Sequence, residues 1–227
     1  AQAAPSQAPK ALEALVKVAG NADRFVRQVA ARTLVALAKA APSQASKALE
    51  ALVKAAGDAD RFVREVAASA LGALVQAFPS QASKALAALV KAAEGDAHGR
   101  VRLVAARALG ELAQAAPSQA TLEALIKAAG ADRNDKYDSA RFAAARALGK
   151  LAKASPSLAP KTLETLLKAA GDDYSAVRKA AARALGELAK AALSLAPKAL
   201  EVLLKAAGDA DSDVREAAAL ALGALAQ

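Results

Sequence analysis

Apolar residues fall three and four positions apart along almost the whole chain, and no stretch alternates with a period of two. The first spacing gathers side chains on one face of a helix, whereas strict alternation would mark a half-buried strand. The chain therefore reads as helices without a sheet. In KALEALVKAAG, the residues Leu49, Leu52, Val53 and Ala56 share a face. Gly57 follows at the position where a left-handed residue ends many helices. Asp58 and Asp60 suit the start of a second helix. That helix carries Val63, Val66, Ala67, Ala70, Leu71 and Leu74 as apolar columns and runs to about Ala77, ahead of Pro79.

The helix pair recurs. The segment VRKAAARALGEL, Val177 to Leu188, has relatives beginning at Val26, Val63, Val101, Ala140 and Val214. Pro5, Pro42, Pro79, Pro117 and Pro156 stand 37, 37, 38 and 39 residues apart, and Leu193 takes the proline's place in the last copy. A fixed period of this length marks a repeat architecture, in which each copy buries its apolar face against its neighbours. Six repeats are expected, at approximately 4–40, 41–77, 78–115, 116–154, 155–191 and 192–227. No change of composition and no Ser/Gly linker separates them, so residues 1–227 are expected to form a single domain. The third repeat gains a residue near Glu94, and the fourth loses two near Ala120 and gains four within ADRNDKYDSA.

Each second helix opens on the same motif: Asp, five residues, Arg, two residues, Ala-Ala, one residue, Ala-Leu-Gly. Asp58–Arg64, Asp96–Arg102, Asp135–Arg141, Asp172–Arg178 and Asp209–Arg215 keep the offset, while the first repeat has Asn21 before Arg27. The motif resembles the HEAT repeat, especially the bacterial HEAT-like subclass related to phycobilin lyase repeats, and the resemblance covers the whole chain. It implies an all-α fold, a right-handed α-solenoid of six helix-turn-helix repeats whose second helices line a concave side. It also implies that the aspartates and arginines pair into a ladder between neighbouring repeats. HEAT arrays are mostly binding scaffolds, so the implied role is interaction rather than catalysis. The near-exact repeats, without Met, Cys or Trp, also suit an engineered or consensus-like protein. The irregular third and fourth repeats suit natural drift or deliberate grafting.

Composition narrows the chemistry. Alanine dominates and aromatics are 3% of residues, so each side chain buries little area, and a regular leucine column must supply much of the core. Leu34, Leu71, Leu109, Leu148, Leu185 and Leu222 form that column. Gly72, Gly110, Gly149, Gly186 and Gly223 recur in mid-helix, where glycine costs ~1 kcal/mol against alanine, which points to close approach by the next repeat. With no cysteine, disulfides and thiolate chemistry are excluded. His98 is the single histidine and falls in a turn, and Asp172 and Asp173 are expected to cap a helix, so no metal site, nucleophile or acid–base pair is expected. No cofactor is expected either. No apolar run approaches the ~20 residues needed to span a bilayer, no basic-then-apolar leader is expected from the first residues, and a cytoplasmic location is expected if the protein is natural.

The chain carries a net charge of +9. Part of it lies in first-helix columns such as Lys47/Glu50/Lys54 and Lys161/Glu164/Lys168, which read as a solvated face. A second set is more informative. On the second helices the positions that differ between repeats lie on one stripe. Its candidate binding residues are Phe25, Arg32, Phe62, Arg100, Leu103, Arg107, Phe142, Arg146, Lys150, Lys179, Arg183 and Leu220. Aromatic and arginine side chains are enriched in binding hot spots, and exposed apolar patches often mark interaction sites. The enlarged loop of the fourth repeat adds Arg133, Asn134, Lys136 and Tyr137. A protein or peptide partner is expected on this stripe. The alternatives are a nucleic acid or other polyanion drawn to the basic centre, and a designed protein without a natural partner. The chain is expected to be a monomer or to associate end to end.

Overall fold

The computed structural model describes residues 7–130 and 139–225. Within them the elements are twelve α-helices with short 3-10 turns and no strand. The six pairs are α1 (Ala8–Val18) with α2 (Arg24–Ala40), α3 (Ala45–Ala55) with α4 (Arg61–Ala77), α5 (Ala82–Gly95) with α6 (Gly99–Ala115), α7 (Gln119–Ala129) with α8 (Ser139–Ala154), α9 (Ala159–Ala169) with α10 (Ser175–Ala191), and α11 (Ala196–Ala206) with α12 (Ser212–Leu225). They gather into two compact bodies, Ala1–Ala116 and Pro117–Gln227. In the N-terminal body α2 packs on α4 and α4 on α6; in the C-terminal body α8 packs on α10 and α10 on α12.

Local chemistry sets the helix ends. The Asp60 side chain accepts from the Phe62 and Val63 amides at 2.9 and 3.3 Å, and Asp23 accepts from Phe25 at 2.7 Å. These carboxylates satisfy amide donors that a helix start leaves open. Asp58 has a different task and bonds the Asp60 amide at 2.8 Å. Asp172 and Asp173 do not cap α10 either, since Tyr174 occupies that position without a side-chain bond. The expected left-handed glycine is also corrected, because Gly57 has no positive φ. The first helices instead end in a tightened turn, with Gly57 N–H donating to Lys54 O at 3.0 Å and Asp58 N–H to Ala55 O at 3.1 Å. The same pair of bonds recurs at Gly171 and Gly208. Proline at the first position opens a 3-10 turn at Pro42–Gln44, Pro79–Gln81 and Pro156–Leu158. In the fourth repeat, which loses two residues near Ala120, Ser118 caps α7 through the Thr121 amide at 3.1 Å.

In each body the core sits between the first and second helices of its pairs. Leu34, Leu71, Leu109, Leu148 and Leu185 are fully buried, and Leu222 is half-buried. The buried face of α3 consists of Ala45, Ala48, Leu49, Leu52 and Ala55, which leaves Val53 and Ala56 half-buried at its edge. Mid-helix glycines let second helices approach closely. A Cβ on Gly72 would stand 2.9 Å from Ala108 Cβ, one on Gly149 2.8 Å from Ala184 Cβ, and one on Gly186 2.7 Å from Ala221 Cβ. Real carbon atoms do not sit that near one another, so glycine is required at these contacts. Gly223 meets nothing within 4 Å.

Candidate functional site

Neighbouring second helices are fixed by a ladder of arginine and aspartate. Arg27 Nε and Nη2 donate to Asp58 Oδ2 and Oδ1 at 2.8 and 2.9 Å. Arg64 grips Asp96 in the same way at 2.6 and 2.9 Å, Arg141 grips Asp172 at 3.0 and 3.4 Å, and Arg178 grips Asp209 at 2.8 and 2.8 Å. In Arg27, Arg64 and Arg178 the remaining nitrogen, Nη1, turns back on the arginine's own repeat. That of Arg64 donates to the carbonyls of Asp58 and Ala59, both at 2.9 Å. The guanidiniums of Arg27, Arg64 and Arg178 thus tie the turn before their own helix to the turn of the next repeat. A planar fork with five donors does this, and an ammonium would not. The Arg178 bond, aided by the Asp211 amide, holds the Asp209 carboxyl down at about 2. Burial pushes the Asp96 carboxyl up, but Arg64 and the His98 amide hold it below the ordinary carboxylate range. The same bonds push the Arg27, Arg64 and Arg178 guanidiniums higher still.

So fixed, the second helices enclose a groove in each body. In the N-terminal body a hollow of 510 Å3 lies across α2, α4 and α6. Its walls carry Arg32, Glu65, Ser69, Arg100, Arg107 and Glu111, and its floor is Val35, Val66, Ala70, Ala73, Val104 and Ala108. Arg100 Nε donates to Glu65 Oε1 at 2.9 Å. In the C-terminal body a hollow of 340 Å3 is lined by Phe142, Arg146, Ser175, Ala176, Lys179, Ala180, Arg183 and Asp213. There Lys179 Nζ meets Asp213 Oδ2 at 2.6 Å, and the Arg146 guanidinium stands 5.6 Å from the Phe142 ring centre. Arg32, Arg107, Arg146 and Arg183 are exposed and make no ion pair among the described residues.

The structure divides the stripe expected from the sequence. Arg32, Arg100 and Arg107 meet in one groove, and Phe142, Arg146, Lys179 and Arg183 in the other. Phe25 and Phe62 lie on neither lining. They sit in the first turns of α2 and α4, 62% and 38% exposed, with the Arg24 guanidinium 4.8 and 5.2 Å from their ring centres. Lys150 and Leu220 also lie off the linings, Lys150 half-buried and Leu220 61% exposed. Leu103, expected on the exposed stripe, is only 7% exposed. With no polar end to hold in water, it packs inward. Arg133, Asn134, Lys136 and Tyr137 fall outside the described residues. The sequence reading missed the groove floor, although Val66 and Val104 stand one helical turn from the wall residues Ser69 and Arg100. It also missed a hollow of 580 Å3 on the first helices, where Leu12, Val16 and Ala51 lie between Glu13, Lys17, Lys47 and Lys54. Among the described residues no group of His, Cys, Asp or Glu is placed to hold a metal ion, and no helix is long and apolar enough to cross a membrane.

Paired helices, a repeated interlocking turn and grooves between second helices define a helical-repeat protein of the α-solenoid class. The family profile described as HEAT repeats matches residues 3–72, 86–185 and 133–223, and the chain belongs to the HEAT-repeat family. No curated protein sequence matches it. Among solved structures it is similar to an engineered protein, with 27% identity, a TM-score of 0.65 and coverage of 95% of this chain and 96% of that one. Computationally designed armadillo repeat proteins for modular peptide recognition match at 26% identity and a TM-score of 0.60, over 94% of this chain and 99% of theirs. The complex of the phycocyanin lyase subunits CpcE and CpcF from Nostoc sp. PCC7120 matches at 27% identity and a TM-score of 0.55, covering all of this chain (100%) and 79% of that one.

Proposed function

We propose that the protein is a non-enzymatic scaffold that binds an extended segment of another polypeptide in the concave grooves of its second helices. The observation that carries this reading is the pair of grooves, each with a small apolar floor and unpaired arginines on its walls. Such surfaces combine area that gains from leaving water with donors that orient a peptide backbone or side chain. The likeness to armadillo proteins designed for peptide recognition supports the same class of ligand. The histidine and thiol chemistry of a catalyst is not at hand, with one histidine and no cysteine in the sequence.

The polyanion reading rests on the net charge of +9. The walls of the N-terminal groove argue against it, because Glu65 and Glu111 would face a phosphate backbone. Aromatic rings for base stacking are also few.

The test is selection of peptides from a random library on the immobilised protein. Recovered peptides should lose binding to variants that fill the grooves, Ser69→Trp or Ala176→Trp, and keep it with the first-helix variant Lys198→Ala. Equal binding to the variant that combines Ser69→Trp with Ala176→Trp would remove the grooves as the site.

A further inference from the structure

We infer that the groove of the C-terminal body selects acidic peptides, reading two carboxylates two or three residues apart along an extended chain. This inference rests on the peptide-binding reading above and names its ligand class. The sixteen positions of α8 contribute Phe142 and Arg146 to the groove, and α10 contributes Lys179 and Arg183. Arg146 and Arg183 occupy the same position in successive repeats, so they stand side by side on packed neighbouring helices. Packed helices lie ~8–10 Å apart. An extended peptide advances ~3.3 Å per residue, so side chains two or three positions apart span ~7–10 Å. The two guanidiniums and such a carboxylate pair therefore match in spacing.

The charge pattern supports the same ligand. Lys179 is engaged by Asp213 at 2.6 Å, which leaves Arg146 and Arg183 as the donors with no acidic partner among the described residues. Both are exposed at the groove wall, so neither has to break a bond to accept a carboxylate. Guanidinium binds carboxylate through two parallel bonds and so reads both charge and orientation. Phe142 holds Arg146 by its ring face and limits the positions of that guanidinium, which reduces the ordering cost of binding. The N-terminal groove differs. Arg100 is already neutralised by Glu65, and in the column of Arg32 and Arg107 the repeat between them carries Ser69. It therefore presents no adjacent pair of unpaired arginines.

The experiment uses the full chain and three fluorescein-labelled peptides, (DE)4, (SQ)4 and (KR)4, with a mixed-sequence DNA duplex as a fourth probe. Anisotropy at 50 and 150 mM salt should show (DE)4 binding at least tenfold tighter than (SQ)4 and no binding of (KR)4. Arg146→Ala and Arg183→Ala should each weaken (DE)4 about tenfold, the loss expected for one charge-assisted pair, and Lys198→Ala should leave it unchanged. A loss in Lys198→Ala equal to that in Arg183→Ala would make the binding diffuse surface attraction and overturn the inference. Tighter binding of DNA than of (DE)4 would overturn it in favour of a polyanion. If library peptides bind through the grooves but (SQ)4 matches (DE)4, the acidic selectivity fails while the peptide reading stands. If no peptide binds, both fail.

Discussion

Arg178 and Asp209 face each other across the fifth and sixth repeats, with Nε and Nη2 of the arginine each 2.8 Å from a carboxylate oxygen. The pair is mostly shielded, with side chains 17% and 14% exposed. Removing one partner leaves the other without its bonds, and the third arginine nitrogen still ties down its own turn. Asp209→Ala is therefore expected to destabilise the protein by about 2–4 kcal/mol. Arg178→Ala combined with Asp209→Ala should cost less than the sum of the single changes. Urea unfolding of the three variants measures both quantities.

The same pair sets an acid limit. The Asp209 carboxyl titrates at about 2 in the fold, against an ordinary value of 3.8, so the fold favours its charged form. Its contribution is complete above pH 3.8 and is lost as the pH falls through about 2. Asp96, also lowered, acts in the same direction. Urea midpoints at pH 5, 3 and 2 should fall steadily for the parent chain. For Asp209→Asn the curve should start lower at pH 5 and fall less.

Two glycines in equivalent positions are expected to respond to alanine with opposite signs. At Gly149 the added methyl would meet Ala184 Cβ at 2.8 Å and its Cα at 2.9 Å. Backbone there cannot yield without separating α8 from α10, so Gly149→Ala should destabilise by ~1–3 kcal/mol despite alanine's better helix propensity. Gly223 faces open space, and Gly223→Ala should raise stability by up to ~1 kcal/mol. Thermal melts of the two variants decide the point. A stabilised Gly149→Ala would mean that the helices are not held at this distance.

Burial predicts a graded leucine series. Leu148 is fully buried, and Leu148→Ala should cost ~2–5 kcal/mol through the cavity it leaves. Leu222 holds the same column position but is half-buried, so Leu222→Ala should cost clearly less. Chemical denaturation of both variants in parallel gives the comparison, and equal losses would contradict the gradient.

Phe62 is flanked by Arg61 at 4.6 Å and Arg24 at 5.2 Å from its ring centre. Its exposed ring contributes little to the core, and the cation–π contacts are worth ~0.5–1 kcal/mol each at such sites. Phe62→Ala is expected to lower stability by no more than ~2 kcal/mol and to leave groove peptides bound. Unfolding at room temperature would show that the ring belongs to the core.

The repeat fold was legible because one spacing rule operates six times. In all repeats but the first, the Asp and Arg were visible as a six-residue offset within one repeat. The bond itself joins different repeats, Arg64 to Asp96 for instance, and that partnering came from the family resemblance. The mid-helix glycines were readable for a similar reason, since a costly residue repeated at one position needs a cause. The site was only partly legible. Periodicity identifies a helix face but not how far a side chain leans, so Leu103 and Arg107, one turn apart on α6, end buried and exposed respectively. On the groove floor, Val66 belongs to an apolar column that the sequence alone assigns to the core. A groove becomes visible only when neighbouring helices are placed side by side.

The forked bond of the ladder uses the same atoms at every described rung. A joint that does not depend on which two repeats it connects can survive unequal crossing-over. Duplication of one 37-residue cassette cut at the Asp turn would carry both halves of the joint with it, the aspartate for the preceding arginine and the arginine for the following aspartate. Such a chain can lengthen by copying, with no new contact to be invented, and its groove residues remain free to diverge from copy to copy.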